Sequence, residues 1–197
     1  SITVGATSPN WQDTGVPTPV APNEDGVFEI YTPEQLAWIA QKVNAATGFS
    51  TFNGFTVKLM NDIDLSSREW TPIGGWNGTA SDFSKSFEGT FDGCGKKIIG
   101  LNIGTASVYN SKYTFAGLFG NVKGTIKNIG IENITIYSNI VSSEIGGLVG
   151  YLNGIAIIIN SYTTGKITGG NDANIGGLVG SNTGTITKSH SYINIIG

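Results

Sequence analysis

Charged side chains are scarce in this chain: Asp, Glu, Lys and Arg make up 13% of it, about half the ~25% usual for a soluble domain. The eleven Lys and Arg are scattered without runs and are outnumbered by fourteen Asp and Glu, for a net charge of -3. Nothing in that distribution resembles the cationic face that nucleic acid requires, and no nucleic-acid partner is expected. One cysteine, Cys94, excludes an internal disulfide and any cysteine-built metal cluster. One histidine, His190, lies at the far end of the chain and would have to meet a remote Ser and Asp to complete a nucleophilic triad, so a surface or ladder position is expected for it. Phosphate loops and zinc-ligand spacings are missing too, so no cofactor and no metal are expected. No run approaches the ~18 consecutive apolar residues of a membrane-spanning helix, and no basic-apolar-small leader opens the chain. The expectation is a soluble chain, the mature part of something longer.

Proline is also sparse, with four of six (Pro9, Pro17, Pro19, Pro22) in the first 22 residues. Residues 1–26 therefore read as an extended arm or linker ahead of a single domain at 27–197. One helix is predicted, over roughly 33–46. Thr32 suits the N-cap, Pro33 the first turn and Gln35 a T-x-x-Q capping box, while Leu36, Ile39, Ala40 and Val43 recur at helical spacing. Helical periodicity is absent after Gly48, where short apolar runs alternate with Gly, Asn, Asp and Ser.

Glycine, by contrast, is abundant, at 29 residues, and much of it is periodic. IGGLVG occurs at 145–150 and again at 175–180, with FAGLFG at 115–120, so Gly117, Gly147 and Gly177 stand on a thirty-residue ladder. Leu148 and Leu178 repeat with them as packing residues between units, and Gly120, Gly150 and Gly180, like Gly124, Gly154 and Gly184, are expected to mark bends. Within GTIKNIGIENITIYS the apolar positions Ile126, Ile129, Ile131, Ile134 and Ile136 step by three, two, three and two. A strand keeps one face in steps of two, so each step of three predicts a turn of the chain. A thirty-residue unit of about three short strands buries too little to fold alone. Stacked units bury a continuous core, and coils stacked at the ~4.8 Å strand spacing form an all-β, parallel β-helix.

Two units, IGGLVGYLNGIAIIINSYTTGKITG and IGGLVGSNTGTITKSHSYINIIG, resemble the GLUG motif of bacterial surface and secreted proteins. Upstream, YTPEQLAWIAQKVN, DIDL, the W-x-P-I-G turn at 70–74 and FEGTFDGCG are similar to the segment that often precedes such repeats. The D-G-x-G step carries Cys94 and Lys96, where Asn and His are the commoner residues. The resemblance covers about 27–197, with the GLUG-like repeats at 115–197. It implies a right-handed β-helix, capped at its N-terminal end by the helix, in a protein exported to the cell surface or beyond. Its implication for chemistry is thin, because the motif occurs in adhesin-type proteins and as an accessory region of some surface peptidases.

Eleven of the fourteen acidic residues lie at or before Asp92, and the repeats hold only Glu132, Glu144 and Asp172. Glu132 aligns by the thirty-residue rule with Tyr162 and Tyr192. A calcium site or acid pair could be drawn from Asp62, Asp64, Glu88 and Asp92 with Arg68, but aspartates bonded to turn amides are the simpler expectation. Ligand binding is expected instead in two segments that break the repeat, 76–86 and 104–114. There Trp76, Tyr109 and Tyr113 offer flat apolar faces, and Asn77 and Asn110 offer amides, the mixture a carbohydrate or a host surface protein would meet. Three functions follow: a non-enzymatic adhesin-like protein, a passive spacer of a larger surface protein, or a polysaccharide lyase or hydrolase. The last unit ends SYINIIG with no polar cap. Residues 185–197 are therefore expected to continue into further sequence, to meet another molecule end to end, or to be covered by another segment such as the N-terminal arm.

Overall fold

A computed structural model describes residues 9–45 and 51–197. The chain winds as a parallel β-solenoid of about six turns. The first turns contain β1 (Val27–Ile30), helix α1 (Pro33–Ala45), β2 (Thr56–Leu59), β3 (Ile63–Asp64), β4 (Thr90–Asp92), β5 (Lys97–Ile99) and β6 (Asn102–Ile103). Three four-strand turns follow. The first holds β7 (Phe115–Ala116), β8 (Phe119–Val122), β9 (Thr125–Lys127) and β10 (Gly130–Tyr137), and the second β11 (Glu144–Gly146), β12 (Val149–Leu152), β13 (Ile157–Ile159) and β14 (Tyr162–Thr168). The last holds β15 (Asn174–Gly176), β16 (Val179–Asn182), β17 (Thr185–Thr187) and β18 (His190–Ile196). Stacking yields one sheet in the order β1-β2-β4-β9-β13-β17 and another in the order β18-β14-β10-β5-β3, with β6 also on β10. Two three-stranded sheets complete the wall, β15-β11-β7 and β16-β12-β8.

Helix α1 starts as the sequence predicts. The Gln35 side chain accepts from the Tyr31 and Thr32 N–H groups (2.7 and 3.3 Å), and the Gln35 N–H donates to Thr32 Oγ1 (3.3 Å). Its last described residue is Ala45, and residue 46, the expected end, lies outside the described residues. Leu36, Ile39, Ala40 and Val43 are buried, and Trp38 packs its ring 6.1 Å from Phe28 on β1, so the helix closes the first coil.

The steps of three have a definite backbone cause. Ile126, Ile129, Ile131, Ile134 and Ile136 are all buried, and each step of three contains an asparagine in the left-handed region, Asn128 (φ 55°) and Asn133 (φ 58°). Asparagine tolerates that conformation better than other residues with a Cβ. The corner at Asn128 recurs as Asn160 and Lys188, also left-handed, and Asn160 Nδ2 donates to Asn128 Oδ1 (2.9 Å) across the coils.

One expectation about the glycine ladders changes. The IGGLVG stretch forms two short strands, β11 and β12, on either side of Gly147–Leu148. Gly120, Gly150 and Gly180 are not bends, for they lie inside β8, β12 and β16 without positive φ. They let the two three-stranded sheets lie backbone against backbone: a Cβ on Gly150 would stand 2.9 Å from both Ala116 N and Glu144 O. Glycine is required there for close approach and not for turning.

The register also departs from thirty away from that edge. Phe119, Val149 and Val179 pair at intervals of thirty, but Ile126, Ile158 and Ile186 pair at 32 and then 28. Tyr162 consequently aligns with Gly130 and His190, and not with Glu132 and Tyr192 as the strict period predicts.

Residues 9–26 pack on the domain. Trp11 is buried with its indole N–H on the Leu65 carbonyl (3.1 Å), and Val16 and Val20 lie against the core. The described part of the arm therefore covers the first coils and not the last one. The C-terminal coil is exposed, with Tyr192 at 74% and Ile195 and Ile196 also open.

Candidate binding site

Five stretches meet around a cleft of about 790 Å³: the arm at Asn10–Asp13, the last turn of α1, the turn at 69–71, and the loops at 76–86 and 104–114. Its size lies within the usual range of small-ligand sites, roughly 300–1,000 Å³. Trp76, Asn77, Tyr109, Asn110 and Tyr113 all line it. The two loops that break the repeat thus converge on one place.

Each wall is held by bonds that the local sequence supplies. Gln12 Nε2 donates to the Ala37 carbonyl (2.7 Å) and the Trp11 N–H to Glu69 O (3.0 Å), which pins the arm to helix and turn. Asn44, buried at the end of α1, donates to Pro72 O (3.0 Å) and accepts from Gly74 N–H (2.9 Å), joining the helix to the turn that leads into the first loop. That loop closes as an Asx turn, with Asn77 Oδ1 accepting from Thr79 N–H (3.0 Å) and Ala80 N–H (2.9 Å). The second loop uses Asn110 in the same way, its Oδ1 accepting from Lys112 N–H (2.9 Å) and Tyr113 N–H (3.0 Å).

The five residues differ in what they leave free. Asn110 is 4% exposed, and its Nδ2 also bonds Tyr113 O and Ser138 Oγ, so its amide serves the loop. Tyr113 is 5% exposed, with its hydroxyl 3.0 Å from Thr71 Oγ1, and burial pushes its phenol up from the ordinary value. Trp76 is half-buried, edge-on to Tyr113 at 5.2 Å between centroids, which sets the plane of the indole. Tyr109 is exposed and tilted against Tyr137 at 5.6 Å. Asn77 is exposed, and its side chain also interacts with the Asp82 carboxylate. Sequence reasoning missed the contribution of Asn10, Gln12, Gln41 and Glu69, which also line the cleft. The available signal was Trp11, a lone aromatic in an otherwise featureless arm.

The acidic residues considered for catalysis or calcium do not converge on a shared partner. Asp62 Oδ1 accepts from Lys97 N–H (2.9 Å) and Asp64 Oδ1 from Ser66 N–H (2.8 Å). Glu88 bonds Ser86 Oγ (2.9 Å) and faces Lys123 Nζ (3.6 Å), while Arg68 faces Asp13 (3.6 Å). Among the described residues no three His, Cys, Asp or Glu side chains are grouped as metal ligands.

Asp92 is the most enclosed of these. One oxygen accepts from the Cys94 N–H (2.9 Å) and the Asn128 amide (3.0 Å), and the other lies 3.3 Å from Lys127 Nζ. Burial pushes its carboxyl up, but the backbone donor, the amide and the ammonium outweigh that and hold it below the ordinary carboxylate range. A folded pKa below the unfolded one contributes stability that is present above about pH 4 and is lost as pH falls through the folded value. Asp92→Asn is expected to flatten the acid limb of a stability profile from urea unfolding at a series of pH values. An unchanged limb below about pH 4 would show that Asp92 carries none of it.

His190 belongs to a cross-coil ladder, and the flanking Ser189 and Ser191 hydroxyls bond Thr187 O and Thr163 Oγ1. The His190 ring stacks on Tyr162 at 5.5 Å, and the Tyr162 hydroxyl donates to Glu132 (2.7 Å), which also pairs with Lys97 (2.8 Å). The Lys97 and Tyr162 bonds hold the Glu132 carboxyl below its usual range. Among the described residues no helix is long and apolar enough to cross a membrane.

Residues 142–168, the coil formed by β11 to β14, match the family model of the GLUG motif. A curated relative, halomucin of Haloquadratum walsbyi, is 34% identical over 133 residues, which is 65% of this chain and 1% of the relative. The chain thus spans about one hundredth of the length of the curated relative that it matches. No solved structure matches the chain.

Proposed function

We propose that this GLUG-bearing β-solenoid is a non-enzymatic, adhesin-like module, displayed outside the cell or on its surface, that binds an extracellular ligand in the cleft between the 76–86 and 104–114 loops. The observation that carries the reading is the convergence of five aromatic and amide residues from two separate insertions on one cleft. The candidate acids, by comparison, are each held by separate turn amides or lysines, an arrangement that favours binding over hydrolysis. The GLUG match and the likeness to halomucin support display at a surface.

The test is retention of the purified chain on immobilised polysaccharides, matrix proteins and whole cells, compared with Trp76→Ala. Retention is expected for the parent chain, with about a tenfold loss in the variant at an unchanged melting temperature, the scale of removing one aromatic anchor. Retention indifferent to Trp76 would move binding away from the cleft. The spacer reading draws on the burial of Tyr113 and the fully bonded amide of Asn110, and absence of retention on every surface would select it.

A further inference from the structure

The chemistry of the cleft narrows the ligand, on the premise that the cleft is the binding site. Seven of its twenty lining residues carry carboxamides and only three carry charge, Asp13, Glu69 and Lys112. Asp13 is already engaged by the Asn10 N–H and by Arg68. Glu69 gives Oε1 to the Gly104 N–H (2.8 Å) and keeps its second oxygen for another donor. An anionic glycan brings a negative group on successive rings and calls for Arg or Lys clusters to match. Here one ammonium faces two carboxylates, and the field is of the wrong sign.

An extended peptide is disfavoured on different grounds. Strand addition needs an open backbone edge, yet the Thr79, Ala80, Val108, Lys112 and Tyr113 N–H groups of the two loops are all bonded within their own turns. Side-chain groups left unbonded among the described residues include the Trp76 indole N–H, the whole Gln41 amide and one Glu69 oxygen. These mix donors and acceptors beside an indole whose plane is set by its edge-on contact with Tyr113. A sugar ring meets both needs. Its C–H face covers an indole, and each hydroxyl donates one hydrogen bond while accepting another.

We propose that the cleft binds a neutral oligosaccharide, with Trp76 as the stacking platform and Gln41 and Glu69 as hydroxyl partners. Ligands of other classes are outcomes of the test. Short neutral hexose and pentose oligomers, oligogalacturonate, heparin fragments and a proline-rich peptide are titrated calorimetrically at low and high salt.

A neutral oligomer is expected to bind with affinity changed by less than about twofold by salt, since no ion pair is made. Trp76→Ala is expected to weaken it about tenfold or more, and Gln41→Ala, at an exposed position where the fold is not at stake, about threefold to fivefold. The proposal is overturned if only oligogalacturonate, heparin or the peptide binds, if salt or Lys112→Ala abolishes binding, or if a neutral oligomer binds with no response to either Trp76→Ala or Gln41→Ala. In the first case, a bound ligand of another class that still depends on Trp76 leaves the binding-module reading intact. Absence of binding here and on every surface above sinks both.

Discussion

Replacing Gly146 by alanine is expected to cost about 3 kcal/mol or more, whereas the same substitution at Gly154 changes stability by less than about 0.5 kcal/mol. Gly154 belongs to a thirty-residue ladder and Gly146 recurs as Gly176, with Ala116 in the looser copy; neither has positive φ, so backbone conformation does not separate them. Space does. A Cβ on Gly146 would lie 2.7 Å from Gly180 N, 2.8 Å from Leu178 O and closer still to Val149 O, all backbone atoms of the stacked sheets. None of these can swing aside as a flexible side chain would. Relief requires moving β11 away from β12 and β16, which disturbs the sheets β7-β11-β15 and β8-β12-β16 together. At Gly154 the nearest atom is 3.6 Å away, an ordinary contact. Alanine there also restricts the unfolded chain, a stabilising effect of about 0.4 kcal/mol that keeps the net change small. Urea unfolding of the two variants decides the matter, and equal shifts would show that the glycine sheets are not closely packed. Against a total stability of about 5–15 kcal/mol, the Gly146 loss is large.

Trp70→Ala is expected to destabilise the protein by about 4 kcal/mol and to remove ligand binding with it. Trp70 is fully buried in the W-x-P-I-G turn, and its indole N–H donates to the Leu118 carbonyl (3.0 Å). That carbonyl also accepts from Ile73 N–H (3.0 Å), so it is not orphaned when the indole goes. Most of the cost is therefore lost volume. Trp70→Phe, which keeps an aromatic ring there, is expected to cost only about 1–2 kcal/mol. The coupling to the cleft runs through the next residue: Thr71 Oγ1 bonds both Asn10 and the Tyr113 hydroxyl, tying the arm wall to the 104–114 loop. Thermal melts of both variants beside retention assays test this. If Trp70→Ala keeps full binding at a temperature where it remains folded, the turn does not organise the cleft.

The helix, its capping box and the inward isoleucines were legible because each is written in a local pattern. Thr32 and Gln35 satisfy neighbouring N–H groups, and a step of three between isoleucines can only mean a change of direction. The roles of the glycines were not legible. A glycine that turns the chain and one that admits another backbone have the same letter, and which is which depends on what lies beside it. The alignment of Tyr162 with Gly130 and His190 was hidden for a related reason. Coils of 28 and 32 residues preserve the glycine edge while shifting the opposite side.

By itself the sequence determined the architecture, because a period near thirty in apolar and glycine positions leaves stacked coils as the way to bury a common face and satisfy backbone groups at once. It also singled out the two insertions, since they are where the period fails. Only the tertiary structure decided that Trp76 and Tyr113 touch, that Asn110 serves its own loop, and that the arm and the end of α1 complete the cleft. The physical reason is the geometry of a solenoid. One turn advances the chain by a single strand spacing of about 4.8 Å, so residues thirty or more positions apart become neighbours, and which ones meet is set by each coil's length.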